Sequence, residues 1–76
     1  MTQKIYIGGY YVKYDDQERN VSYGVYYLQY DLNSEERRVF LDEARNKGQA
    51  EFEDHAGRNF TLMYNNDGTY TLISRD

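Results

Sequence analysis

The chain is predicted to fold as a two-layer α+β domain, ββαβββ in order, with a mostly antiparallel sheet and one helix packed on one face. Three observations predict this. Two long runs, Lys4 to Tyr14 and Val21 to Asp31, are rich in Tyr, Val and Ile, which pack well on a pleated surface. One segment, Asn33 to Lys47, carries helix start and stop signals. Three short runs after it alternate apolar and polar residues between turn residues.

Lys4 to Tyr14 is expected to be a single strand. Ile5 and Ile7 point one way, Lys4 and Tyr6 the other. After Gly8-Gly9 the phase shifts by one, so that Tyr10, Val12 and Tyr14 face inward and Tyr11 and Lys13 outward. A Gly pair with a one-residue phase change is expected to be a β-bulge. A phosphate-cradling loop would need a following helix and a Lys-Ser/Thr signature, and neither is present.

Asp15 to Asn20 is a polar loop. Its carboxylates Asp15, Asp16 and Glu18 lack the spacing and the central Gly of a calcium loop, so a solvated turn is expected. Val21 to Asp31 then reads as the second strand. Gln29 and Asp31 mark its outward face, which Tyr23 and Tyr27 share; Tyr26, Leu28 and Tyr30 take the inward one. The tyrosines therefore divide. Tyr10, Tyr14, Tyr26 and Tyr30 are assigned to the core, and Tyr6, Tyr11, Tyr23 and Tyr27 to an outer face.

In the helix candidate, Asn33 and Glu36 form a capping-box-like pair. Glu35 and Glu36 sit at the positive end, Arg45 and Lys47 at the negative end. Gly48 is the C-terminal stop. Phe40 and Ala44, flanked by Val39 and Leu41, make a thin apolar stripe. A competing reading puts a strand at Arg38 to Glu43, which would convert the whole into an all-β meander or small barrel.

Gln49 to Asp54, Asn59 to Tyr64 and Thr69 to Ser74 alternate as strands, with Ala50 and Phe52, Phe60, Leu62 and Tyr64, and Tyr70 and Leu72 on their apolar faces. Gly57 marks a positive-φ position in the first hairpin connection. Asn65-Asn66-Asp67-Gly68 is a strong turn in the second.

Seventy-six residues make a single domain, 1–76, with a thin core. The chain has no Cys and one His, so disulfides and a structural zinc site are not expected. No metal ligand set, cofactor motif or catalytic residue is assigned. His55 beside Asp54 reads as a turn residue, and Glu51 with Glu53 as a solvated charged face. No apolar run is long enough to span a bilayer and no secretory signal is visible, so a cytoplasmic setting is expected. Nine basic and thirteen acidic residues give a net charge of −4, which disfavours phosphate-backbone binding.

Eight of the ten tyrosines fall between Ile5 and Asp31, more rings than so small a core absorbs. Tyr supplies large amphipathic contact area at low entropic cost. The expectation is a non-enzymatic module that binds a basic surface of another protein. Tyr6, Tyr11, Tyr23 and Tyr27 are the contact rings, and Asp15, Asp16 and Glu18 steer the partner. A homodimer through the same face and a single-stranded nucleic-acid binder are the alternatives. In size, acidity and lack of Cys the chain resembles the small inhibitors that phages and mobile elements encode, anti-CRISPR proteins among them. That compositional likeness covers no motif; it implies occlusion of a host protein's basic surface.

Overall fold

The computed structural model describes residues 1–75. The fold is α+β: a five-stranded, mostly antiparallel open sheet with its helices on one face. Strands β1 (Thr2–Ile7) and β2 (Tyr10–Asp15) come first. Helix α1 (Val21–Tyr26) follows and runs without a break into a π-helical turn, Tyr27–Asp31. Helix α2 (Ser34–Lys47) then leads into β3 (Gln49–Glu53), β4 (Asn59–Tyr64) and β5 (Tyr70–Ser74). The strands lie in the order β1-β2-β5-β4-β3, with only the β2–β5 pair parallel. The ββαβββ order holds once the helical layer is counted as one block, but that block contains two helices.

Gly8-Gly9 departs from the expected bulge. The pair forms a two-residue turn rather than a bulge, and Lys4 to Tyr14 is a hairpin rather than one strand. Ile7 pairs with Tyr10, Tyr6 with Tyr11 and Lys4 with Lys13. Both glycines have positive φ, 55° and 97°, as a type I′ turn demands. The phase change was real; its cause is the turn reversing the chain.

Val21 to Asp31 is helical and not the expected strand. Val21, Gly24, Leu28 and Leu32 are buried, at spacings of three, four and four residues. That is a helical stripe, and it outweighs the strand preference of the Val and Tyr residues around it. Gly24 lets the helix approach the sheet closely, since a Cβ there would lie 2.7 Å from the Phe60 ring. Asn20 enters the helix at φ 67° and offers no side-chain cap, so the usual start signal is missing.

Helix α2 matches its expected bounds. The Asn33–Glu36 capping box is complete, with Glu36 N–H donating to Asn33 Oδ1 at 2.8 Å and Asn33 N–H to Glu36 Oε1 at 3.0 Å. Gly48 ends the helix at φ 90°. The two helices are joined by Arg37. Its half-buried guanidinium donates to the carbonyls of Leu28 (2.7 Å), Gln29 (3.1 Å) and Leu32 (3.3 Å). These close the C-terminal end of the π turn, where backbone acceptors lack helical partners.

Opposite residues in the ladders share a face, so the registers sort the sheet. Ile7, Val12, Tyr70, Leu72, Leu62, Phe60, Ala50 and Phe52 lie under the helices and are buried. Lys4, Tyr6, Tyr11, Lys13, Thr71, Met63 and Glu51 lie on the opposite face, which no helix covers. Each fully buried Leu or Phe contributes about 1.5–3 kcal/mol.

Gly24→Ala separates two opposed effects. Helix propensity alone favours Ala by about 1 kcal/mol, whereas the contact with Phe60 costs about 1–3 kcal/mol. Urea denaturation is expected to find the variant less stable than the parent. Ser22→Ala, on the exposed side of the same helix, is expected to be neutral or mildly stabilising.

Candidate functional site

The helical course of residues 21–31 determines which of its tyrosines meet solvent. Leu32 N–H donates to Tyr27 O at 3.2 Å, five residues back. Leu28 and Leu32 both lie on the core and Tyr30 lies beside Tyr26, their ring centroids 4.8 Å apart; each pair is four residues apart, a spacing that shares one helix face. Such π turns recur at functional sites. Tyr23, Tyr26 and Tyr30 are 49%, 56% and 66% exposed. Tyr26 and Tyr30 were expected in the core. They are outside because a helix sends residues 26 and 30 away from Leu28, where a strand would have aligned all three.

Tyr27 departs from expectation in the opposite sense. It is half-buried and packed on the core, stacked on Phe52 at 5.7 Å with His55 edge-on at 5.2 Å. Burial raises the pKa of its hydroxyl, and the charges of Glu36, Asp31 and Asp54 push the same way. With Leu32, Glu36, Val39 and Phe40 it lines an open groove of about 220 Å³. Val39 remains largely exposed at its rim. The groove thus has an apolar floor and an acidic edge.

Tyr23 is held at the end of this surface by a relay from the β3–β4 turn. Asp54 accepts from Ala56 N–H (3.0 Å), Arg58 N–H (2.9 Å) and Arg58 Nη1 (2.8 Å). Arg58 in turn lies 3.7 Å over the Tyr23 ring. Burial of Asp54 opposes its charge, but the Arg58 side chain and the backbone donors of Arg58 and Ala56 hold its pKa below the ordinary value. His55, by contrast, is an exposed turn residue with Nε2 4.0 Å from Asp31.

Tyr6 and Tyr11 are exposed as expected, on the open sheet face, with ring centroids 4.8 Å apart. Lys4 Nζ lies 5.0 Å from the Tyr11 ring, and Lys13 is paired with Asp67 at 3.1 Å. The expected contact set is therefore not one surface. Tyr6 and Tyr11 are on the side of the sheet opposite Tyr23 and Tyr27.

The acidic loop does not flank either cluster as a free patch. Asp15 and Asp16 hold the N-terminal ammonium at 3.2 and 3.1 Å. A hydrogen bond from Gln17 N–H, then the ammonium, lowers the Asp15 pKa; the ammonium and Gln3 lower that of Asp16. Glu18 is half-buried and accepts from Ser74 N–H. Asp15 is four residues from Tyr11 along β2, about 13 Å at strand rise. The acidic groups beside the helical rings are Asp31 and Glu36 instead. A spacing search of Val21 to Leu32 at helical period could have found this surface, since positions 23, 26, 27 and 30 all carry Tyr.

Among the described residues, no three His, Asp or Glu side chains converge as a metal site, and no helix is long and apolar enough to cross a membrane. Comparison with protein-family models, curated proteins and solved structures finds no match for this chain.

The Asp54 relay makes a pH prediction. A depressed folded-state pKa contributes stability that is present above the unfolded value of 3.8 and lost as pH falls through the folded value. Asp54→Asn is expected to cost about 1–3 kcal/mol at neutral pH, with the difference from the parent narrowing below about pH 4. Thermal unfolding of both proteins across that range checks it.

Proposed function

We propose that this chain is a small, acidic, non-enzymatic protein-binding module whose helical tyrosine face seats a basic surface of a partner protein. The observation that carries the reading is that the helical segment with three exposed rings, Tyr23, Tyr26 and Tyr30, also gives Tyr27 to an apolar groove edged by Glu36, with the charge of Asp31 near the Tyr27 hydroxyl. Exposed aromatics beside a concave apolar patch are the material of binding hot spots. Acidic side chains at the rim complement Lys and Arg on a partner and speed encounter. The partner chemistry that fits is an apolar side chain flanked by basic ones. A bound module of this kind occludes the basic surface it covers, an inhibitor's mode of action in the manner of phage and mobile-element proteins. A cytoplasmic setting belongs to the same reading.

Tyr26→Ala combined with Tyr30→Ala tests it. The exposed rings contribute little to the core, so the variant is expected to keep its circular dichroism and unfolding midpoint. Against a partner identified by pull-down and mass spectrometry, its affinity is expected to fall by about 2–4 kcal/mol. Binding equal to the parent would overturn the assignment of this face.

A second reading rests on one register. On the open sheet face Lys4 lies opposite Lys13 and Tyr6 opposite Tyr11, an arrangement able to stack bases and meet phosphates. Titration of labelled oligothymidylate at low salt decides it: this reading expects binding that weakens with added salt and is lost in Tyr6→Ala plus Tyr11→Ala. No binding at low salt removes it.

A further inference from the structure

We propose that the free edge of β1 is a self-association edge, on which a second copy of this chain pairs its own β1 antiparallel about a two-fold axis at Ile5. Strand β1 ends the sheet and pairs on one side only. Met1 O accepts from Asp16 N–H at 3.0 Å, and the two-residue turn closes on Ile7 and Tyr10. In an antiparallel ladder backbone groups alternate sides, so odd-numbered residues aim at β2 and Thr2, Lys4 and Tyr6 aim outward. Unpaired outward N–H and C=O groups are a template for another strand.

The two edges of the sheet are not alike. β3 carries two exposed carboxylates, Glu51 and Glu53, a common guard against edge pairing. β1 has no Pro and no bulge, and its one charge, Lys4, lies against the Tyr11 ring. Nor is its approach obstructed. The main helix contacts fall on β3, β4 and β5; on β1 the helical layer buries Ile7 at the turn end and leaves Ile5 only partly covered.

The strand is self-complementary in one register. Residues facing each other across the new ladder must share a sheet face. With the axis at Ile5, Lys4 meets the second copy's Tyr6, and Tyr6 meets its Lys4. On the helix side Ile5 meets its own counterpart. Each of the two Lys4–Tyr6 pairs forms two backbone hydrogen bonds and places an ammonium against a ring. Moving the axis one residue toward the N-terminus sets Lys4 against Lys4, a like-charge pair that destabilises. Moving it one residue the other way shortens the ladder. The dimer would cover Tyr6, which is 61% exposed in the single chain. Such an axis stands perpendicular to the sheet. The helical tyrosine faces of both copies stay open, so this inference and the proposed partner-binding face stand or fall separately.

The chain has no cysteine, so one substitution maps the contact. In Ile5→Cys the two sulfurs would face each other across the axis in a non-hydrogen-bonded pair, about 4.5 Å between Cα atoms, within disulfide reach. Expected results are a concentration-dependent dimer by light scattering, a rapid Ile5→Cys interchain disulfide under mild oxidation, and slow cross-linking of Lys47→Cys on the exposed end of α2. Lys4→Pro removes an outward donor without touching the β1–β2 ladder and is expected to abolish the dimer. Tyr6→Lys brings ammonium groups together in both pairs and is expected to do the same, should the proline variant fold poorly. A parent that stays monomeric from micromolar to millimolar concentration would overturn the inference. A dimer that survives Tyr6→Lys, or Ile5→Cys cross-linking no faster than Lys47→Cys, would overturn it as well.

Discussion

The helical layer depends on one side chain. Arg37 places its planar guanidinium among three carbonyls at the end of the π turn. A single cation thereby satisfies acceptors that a helix terminus leaves open and fixes how α2 leaves α1. Hydrogen bonds to charged donors are worth about 1.5–3 kcal/mol each when desolvated, and the forked geometry is one that Lys lacks. The same side chain reaches the β1–β2 turn, where a Cβ on Gly8 would lie 2.7 Å from its Nη1. Gly8 is thus constrained twice, by its positive φ and by this neighbour.

From that constraint the arrangement of tyrosines follows. A helix held in this position turns Leu28 and Leu32, four residues apart, to the sheet together. Tyr26 and Tyr30 are then driven into solvent and against one another. Tyr27, at the boundary, stacks on Phe52 and closes one wall of the groove. The aromatic excess is divided between two sides of the molecule with different electrostatics. The helical side is edged by Asp31 and Glu36, whereas the open sheet side mixes Lys4 and Lys13 with Glu51 and Glu53, Lys13 being paired with Asp67.

Much of the fold was legible where local chemistry and tertiary packing agree. Asn33, Glu36 and Gly48 set the ends of α2 because the groups that satisfy its terminal backbone are only three or four residues away in sequence. The turns at Gly57 and Gly68 were legible because positive φ narrows the choice of residue. The alternation of β3 to β5 was legible because each strand has one buried face. The candidate site was legible only in part. Tyr6, Tyr11 and Tyr23 are exposed as expected, while Tyr26, Tyr27 and Tyr30 exchanged roles when their segment proved helical.

The sequence by itself determined the α+β class, the capped helix, the closing meander and an aromatic surplus that a thin core could not absorb. Only the tertiary structure decided that Val21 to Leu32 is a helix with a π turn. Its residues favour strands one by one, and no capping group announces its start. What tips the balance is non-local: Gly24 against Phe60, the Leu28 and Leu32 stripe against the sheet, and Arg37 on the terminal carbonyls. The segment carries the helical spacing of Val21, Gly24, Leu28 and Leu32, but the groups those residues meet, Phe60 and Arg37 among them, lie outside it, and together they choose which tyrosines meet the solvent.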